Sequence, residues 1–412
     1  MVSKAVPEGW KEIRLGQYLQ EIKERNGSHG RLPVLSVTNT QGFVLSEEYF
    51  ERKVYSKNLD NYKVVRKGQF AYNPSRLNVG SLARLKNYDA GLLSPMYVIF
   101  ETLSDIDADF LSHWLKSGRV KNLIKVSTQG TVRDSVNYSA LAAFPIALPP
   151  LLDQRKIAAI ISSVDDAIEK TKAVIEQTKV VKKGLMQELL TRGIPGRHNK
   201  FKKTPIGEIP EEWEVVKLRE IAKVQTGVAK NSKKKKENPI TLPYLRVANV
   251  QDGFVDLSEI KHIVIDKNKA ERYLLQKGDV LFNEGGDNDK LGRGCVWEAK
   301  INPCVHQNHV FAVRCSSRIS PYYLAIFAAS TIGKQFFLNA AKQTTNLASI
   351  NSSQLKLFPV PLPSPEEQHK IISIIRSIDN NLTAKQELLD SMQNIKTALM
   401  QVLLTGEVRV KV

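Results

Sequence analysis

A segment of 48 residues occurs twice in this chain, so the fold must contain two copies of one structural unit. Residues 144–191 align without a gap on residues 358–405, every partner lying 214 positions later, and 18 of the 48 positions are identical. FPIALPPLLDQRKIAAIISSVDDAI faces FPVPLPSPEEQHKIISIIRSIDNNL, and KKGLMQELLT faces KTALMQVLLT. Fainter matches precede each copy. PEGWKEIRLGQYL from Pro7 resembles PEEWEVVKLREIA from Pro210, LPVLSVTNTQGF from Leu32 resembles LPYLRVANVQDGF from Leu242, and KGQFAYN from Lys67 resembles KGDVLFN from Lys277.

The expected organisation is a globular block (1–147), a helix and linker (148–205), a second block (206–361) and a C-terminal helix (362–412). The blocks differ most in their middles, as expected of one scaffold carrying different loops.

The helical segments carry heptads. In the first, Ile157, Val164, Thr171, Thr178 and Leu185 form one row and Ile160, Ala167, Val174 and Val181 a second, with Ile161, Ile168, Ile175 and Leu189 widening it. In the second, the rows are Ile371, Ile378, Lys385, Met392, Leu399 and Ile374, Asn381, Leu388, Ile395, Val402, with Ile375, Leu382, Leu389 and Leu403 beside them. Five heptads are a coiled-coil pattern. Pro149, Pro150, Pro363 and Pro365 set the helix starts, where Asp153, Glu366 and Glu367 suit the N-terminal dipole, and Gly193 and Gly406 close the helices. Each helix of roughly 37 residues would be about 55 Å long. The stripe is too long for one small block to cover, so the two helices are expected to pack on each other, antiparallel, with Ile157, Ile160, Val164, Val174, Leu185, Ile371, Ile374, Ile378, Leu388 and Leu399 in the seam.

The blocks read as mixed α/β (α+β): VVRKGQFAYN, SPMYVIFE, YLRVANV, HIVID, GDVLFN and HVFAVR are expected strands. FLSHWLKSGRVKNLI from Phe110 and YYLAIFAASTIGKQFF from Tyr322 are each expected to form one helix, in matching places.

Three cysteines, all in the second half, give no disulfide framework, and neither a signal peptide nor a long apolar run is present. A soluble, cytoplasmic protein is the expectation. The formal charge of +18 is spread as +6 over residues 1–147, +6 over 148–205, +6 over 206–361 and zero over 362–412. Such an excess favours a polyanionic partner, although a soluble basic enzyme is equally compatible with it.

Catalytic motifs are sparse. There is no GxxxxGK[ST] loop and no GxGxxG after a strand. Tyr72-Asn73-Pro74-Ser75 superficially matches the Asn-Pro-Pro-aromatic motif of amino-group methyltransferases but lacks the second proline and the aromatic residue. Asp279 with Glu298 and Lys300 could hold Mg²⁺ in a stand-alone nuclease, yet the first-half match of Asp279 is Gln69. Cys295, Cys304, His306, His309 and Cys315 are the candidate zinc ligands; none forms a CxxC pair, and alternating strand positions explain them as well.

What remains suits nucleic acid. Asn73, Arg76, Asn78, Arg84 and Lys86 follow one strand, and Thr128, Gln129, Gly130, Thr131 and Arg133 form a loop. The second half offers Asn283, Lys290 and Arg293, then Gln343, Thr344, Thr345 and Asn346; Arg246, Asn249, Gln307 and Asn308 add to them. Arginine pairs bidentately with guanine, and asparagine or glutamine with adenine. Lys233 to Lys236 suit phosphates.

The ordered, duplicated set PEGW/PEEW, KFKKTPIGEIPEEW, STQGTVRDSV/KQTTNLASIN, FPIALPP/FPVPLPS and QRKI/QHKI helices ending in LLT resembles the specificity (S) subunits of type I restriction–modification enzymes over essentially the whole chain. The second half departs from the pattern where Asn346-Leu347-Ala348-Ser349 replaces the Thr-Val-Arg-Asp that begins at Thr131. The resemblance implies two target-recognition domains joined by an antiparallel coiled coil, each reading half of a bipartite asymmetric site in double-stranded DNA. The helices would set the gap. It further implies two DNA methyltransferase subunits and ATP-driven restriction subunits as partners. S-adenosylmethionine, ATP and Mg would belong to those partners, and the chain itself would be non-catalytic. A stand-alone metal-dependent nuclease and a non-catalytic coiled-coil scaffold are the competing expectations.

Overall fold

The computed structural model describes residues 6–27, 32–52, 54–128, 135–230, 237–286, 291–343 and 348–411. It divides into two compact units, Met1–Lys172 with Glu387–Val412, and Ala173–Gln386. Both boundaries fall inside the long helices, Leu151–Thr191 and Pro365–Leu403, so each unit holds part of both.

The first unit is built on a four-stranded antiparallel sheet in the order Leu19–Ile22, Val98–Thr102, Phe70–Tyr72, Leu82–Arg84. The second repeats it with Ala222–Thr226, Val310–Cys315, Val280–Asn283, Gly294–Val296. In each unit a short strand near its start pairs with the strand just before a long helix: Lys11–Arg14 with Pro145–Leu148, and Glu214–Lys217 with Pro359–Leu362. Alternating aromatic and β-branched residues bury one face of each sheet under helices. Phe70, Phe100, Phe110 and Trp114 form the centre of one core, and Phe282, Phe311, Phe327 and Phe337 that of the other.

Where one helix is expected in each block, the chain forms two: Ala108–Leu115 and Gly118–Thr128 in the first, Pro321–Ala329 and Thr331–Ala340 in the second. The break has one cause in both. Ser117 and Ser330 lie at equivalent points, and each hydroxyl accepts from an amide three residues on, Val120 N and Gly333 N. A serine that caps a new turn competes with the backbone bond that would continue the old one.

The glutamine that opens each repeated helix links it to the globular part of its unit. Gln154 and Gln368 are fully buried and bonded identically. The side-chain carbonyl of Gln154 accepts from Asp107 N, and its amide donates to Asp105 O and Pro149 O. Gln368 accepts from Ser320 N and donates to Arg318 O and Pro363 O. Each ties the start of a long helix to the start of the globular helix above it.

Within the first unit, residues 151–172 of the first long helix run antiparallel to residues 387–403 of the second. Asp165 pairs with Lys396 at 2.5 Å, Thr171 Oγ1 lies 3.8 Å from Met392 Sδ, and Lys156 Nζ donates to Lys411 O. Within the second unit Lys182 pairs with Asp379, and Leu189 and Leu190 share a core with Ile371 and Ile375. Asp165 and Asp379, and Lys182 and Lys396, are each 214 positions apart. The two ion pairs are one contact with its roles exchanged.

The seam corrects the expected register. In the first unit its residues are 157, 161, 164, 168 and 171 with 389, 392, 396, 399 and 403, and in the second 175, 178, 182, 185 and 189 with 371, 375, 378, 382 and 385, all buried or half-buried. Ile157, Val164, Leu185, Ile371, Ile378 and Leu399 therefore lie in it as expected. Ile160, Val174 and Leu388 do not; they are 39%, 41% and 49% exposed, whereas Ile374 is half-buried and packs on the core that holds Leu189, Ile371 and Ile375. A spacing of three and a spacing of four fit the apolar pattern equally, and only the partner surface selects between them. The acidic helix starts are also used: Asp153 lies 3.6 Å from Arg409, and Glu367 accepts from His198, Trp213 Nε1 and Ile194 N.

Replacing seam residue Ile161 with Ala is expected to cost about 2–5 kcal/mol in chemical denaturation. Replacing its neighbour Ile160 should cost less than about 1 kcal/mol. Equal losses would contradict the seam.

Candidate nucleic-acid interface

In each unit three segments meet at one end of the central sheet. Strand Phe70–Tyr72 ends at Asn73, whose side-chain carbonyl accepts from Ser75 N at 3.1 Å and starts a short 3-10 helix, Pro74–Val79. Proline fixes the first turn of that helix, which leaves Arg76 and Asn78 exposed on it. The neighbouring strand begins just after Met96, which lies beside Asn73 (Nδ2 to Sδ 3.8 Å) and is 60% exposed. Val136 N, at the far end of the STQGTVRDSV segment, donates to Pro74 O.

The second unit has the same meeting point. Strand Val280–Asn283 leads into Glu284, and Ile350 N, at the far end of the KQTTNLASIN segment, donates to Glu284 O. His309 stands where Met96 stands. Its Nδ1 is 2.5 Å from Glu284 Oε2, and its Nε2 is 3.2 Å from the Asn308 amide.

Other expected contacts are structural. Asn249 and Asn283 are buried. The Asn249 amide donates to Asp256 O and Glu259 O while its carbonyl accepts from Arg246 N; the Asn283 amide donates to Val247 O and Val250 O. Both side chains satisfy backbone carbonyls that would otherwise be stranded, so neither presents its amide to a ligand. Arg84 and Lys86 also part from Asn73. Arg84 pairs across from Phe70, at the other end of the strand, and both cations meet Asp109, at 3.1 and 2.7 Å. Those two cations help to hold the Asp109 carboxyl below its ordinary range, against the upward push of its burial.

Arg246 is mostly buried, with Glu259 at 3.4 Å. Arg293 is half-buried, with Gln251 at 3.2 Å. Gln307 accepts from Val247 N, and Asn308 remains half-exposed at the tip. Thr131, Arg133, Lys290, Thr344, Thr345 and Asn346 lie outside the described residues, as does the Lys233 to Lys236 run. Met96, Glu284 and His309 in its tip role are absent from the sequence-based set. The signal that finds them is the alignment of the two ladders, because Pro74 falls on Glu284 and Met96 on His309.

The candidate nuclease residue is likewise accounted for. Asp279 is buried, both its oxygens are 2.8 Å from Arg314, and one also accepts from Gln276 N. In the first unit the same place holds Gln69, which accepts from Arg66 N and donates to Glu101. Gln69–Glu101 and Asp279–Arg314 are two solutions to one cross-strand pairing. Glu298 accepts from the Tyr322 hydroxyl. Burial pushes the thiols of Cys295, Cys304 and Cys315 up to about 12, and His306 is fully buried with Nδ1 on Val310 O. Among the described residues no three His, Cys, Asp or Glu side chains are grouped as a metal site requires.

Each unit also has a crevice where its globular part meets its helices. In the first, of about 590 Å³, Arg84, Lys86 and Lys116 face Asp109, Asp165 and Asp166. His113 lies at its base, 2.9 Å from Ser162, and burial lowers its pKa to about 4. In the second, of about 490 Å³, Arg376 stacks 3.8 Å over Tyr322, with Trp297, Phe254 and Ile326 around them. The second also carries charge, with the ion pairs Lys182–Asp379 and Lys334–Asp252 on its wall.

Residues 7–178 and 210–393 match the family model of the type I restriction modification DNA specificity domain. The MjaVIII specificity subunit of Methanocaldococcus jannaschii is 30% identical over 98% of this chain and 94% of its own length. The EcoKI specificity subunit of Escherichia coli is 24% identical over 70% of this chain and 60% of its own. Among solved structures, the HsdS subunit of Thermoanaerobacter tengcongensis has a TM-score of 0.51 at 17% identity, covering 99% of both chains. A chain solved in work on complex assembly and conformational transition of the type I R-M system has a TM-score of 0.60 at 17% identity, covering 98% of this chain and 100% of the other. The two matched segments together take in most of the sequence: this chain belongs to the type I restriction modification DNA specificity family.

Proposed function

We propose that this chain is the sequence-specific DNA-recognition subunit of a type I restriction–modification complex, each unit reading one half of a bipartite, asymmetric site. The observation that carries this reading is the repeated sheet tip: one buried scaffold ends in Asn73, Arg76 and Met96 in one unit and in Glu284, Asn308 and His309 in the other. A common frame with unlike tips suits one task performed on two unlike sequences. The chain supplies no catalytic group. S-adenosylmethionine, ATP and Mg belong to partner subunits, and the complex works in the cytoplasm. No helix among the described residues is long and apolar enough to cross a membrane.

Two methyltransferase subunits dock on the helices, and restriction subunits join them. Support for docking comes from apolar side chains left outside the seam: Ile160, Leu388 and Ile395 in the first unit, and Val174, Val180 and Val181 in the second, are all exposed. Isolated surface apolars are ordinary, but rows of them on a helix mark contact faces. The nuclease reading loses its central residue, because the oxygens of Asp279 are already bonded to Arg314 and Gln276 N. The scaffold reading predicts methyltransferase binding without any DNA preference.

Arg76→Ala, in the chain assembled with its methyltransferase partner, is expected to cost about 1–3 kcal/mol of DNA binding at one half-site only, as a base contact does. Arg84→Ala should leave site preference unchanged. Uniform weakening of all duplexes by Arg76→Ala would make it a phosphate contact, and salt-insensitive binding by the wild type would contradict DNA recognition altogether. Inserting four residues near Gln177 should shift the heptad register and change the half-site spacing read by methylation mapping in cells, or break assembly. Unchanged spacing and affinity would remove the helices as the ruler.

A further inference from the structure

Strand register places Met96 and His309 at one position of the repeated fold. Tyr72 pairs with Val98 in the first unit and Phe282 with Phe311 in the second. One step along each ladder puts Asn73 on Asn283, and the next puts Pro74 on Glu284 and Met96 on His309. The frame up to that step is apolar and buried in both units, from Phe70, Tyr72 and Phe100 to Phe282 and Phe311. At the tip the chemistry diverges. Met96 is 60% exposed, and the side chain of His309 is 55% exposed.

Each is held in place. The Met96 thioether rests against the Asn73 amide, and Asn73 is itself fixed by Ser75 N. The His309 ring is held between Glu284 at Nδ1 and Asn308 at Nε2. Val136 N and Ile350 N bond to Pro74 O and Glu284 O, so each tip residue stands beside the end of a polar stretch of sequence.

We infer that Met96, and Asn308 positioned by His309, are the specificity-determining side chains that make the two half-sites differ. Met96 takes the apolar methyl of a thymine, and Asn308, held by the His309 ring, takes a hydrogen-bonding base edge. The inference rests on the DNA-recognition reading above and adds to it which residues discriminate and by what chemistry. An unbranched apolar side chain has no hydrogen bond to offer, and the thymine C5-methyl is the apolar group the major groove presents. Both ring nitrogens of His309 are taken, by Glu284 and Asn308, so the base edge falls to Asn308, whose carbonyl accepts and whose second N–H donates, as the edge of a purine or of cytosine requires.

The test uses the full chain assembled with its methyltransferase subunits and selection from randomised duplexes, followed by affinity measurement on the selected site. Met96→Ala should lower discrimination at one A·T position of one half-site by about 4-fold, the worth of one methyl group removed from water. Replacing that thymine by 2′-deoxyuridine should weaken the wild type while leaving Met96→Ala unaffected. His309→Ala, and separately His309→Phe, which keeps a ring without its nitrogens, should release Asn308 and relax one position of the other half-site by roughly 5- to 150-fold. If the variants keep both motifs, or bind every duplex equally more weakly, the assignment is overturned. If the wild type itself selects no motif, DNA recognition fails first, and the two failures are told apart.

Discussion

The helix pairing on which both units depend is fixed by one contact made twice. Asp165 meets Lys396 in the first unit and Lys182 meets Asp379 in the second, and the duplication exchanges the partners. A half-exposed ion pair contributes little stability by itself, about 0–1 kcal/mol. Its value lies in register. The seams around it contain Thr171, Thr178 and Lys385, which bury less apolar surface than leucine and leave the alignment of the helices less strongly determined. Ile157, Ile161 and Leu403 then complete one core, and Leu189, Ile371 and Ile375 the other. Neither globular part has a complete core without helix residues from two distant stretches of sequence.

Above the helices, Gln154 and Gln368 carry that order into the globular parts. A buried amide that makes three hydrogen bonds has one orientation, because leaving any of its groups unmet costs about 1–3 kcal/mol. The loop carbonyls of Asp105 and Arg318 and the helix-start amides of Asp107 and Ser320 are thereby fixed with respect to the long helices. Rigid elements leading to variable tips are what a reader of base edges needs, since hydrogen-bond discrimination falls quickly with misplacement. The tips could diverge, Met96 against His309 and Pro74 against Glu284, without disturbing the frame. The cross-strand pair Gln69–Glu101 became Asp279–Arg314 under the same geometric constraint.

Much of this was legible in the sequence, and the failures have physical causes. The duplication gave the two-unit architecture. Heptads gave the helices, because a seven-residue apolar period sustained over five repeats suits a long packed helix and no strand or loop. That period could not decide whether Ile160 or Ile161 faces the partner, since both continue the row from Ile157 and only the opposing helix distinguishes them. Polar residues were harder. Asn249 and Asn283 resemble Asn73 in type and in position after a strand, yet they are consumed by backbone carbonyls of neighbouring segments. Arg84 and Lys86 follow Arg76 closely, but a turn of the chain sends them to the opposite strand end, onto Asp109. Sequence proximity says which residues are near in the chain, and hydrogen-bond accounting says which remain free. His309 was legible only as a metal candidate, because its role depends on Glu284, 25 positions away.

The antiparallel pairing is tested most directly by charge reversal within the first unit. Asp165→Lys alone sets two ammonium groups together and should lower the unfolding temperature; adding Lys396→Asp should restore it, with a coupling of about 0.5–1 kcal/mol in the double-mutant cycle. Additive losses, with no recovery in the double variant, would mean that these helices do not meet in this register.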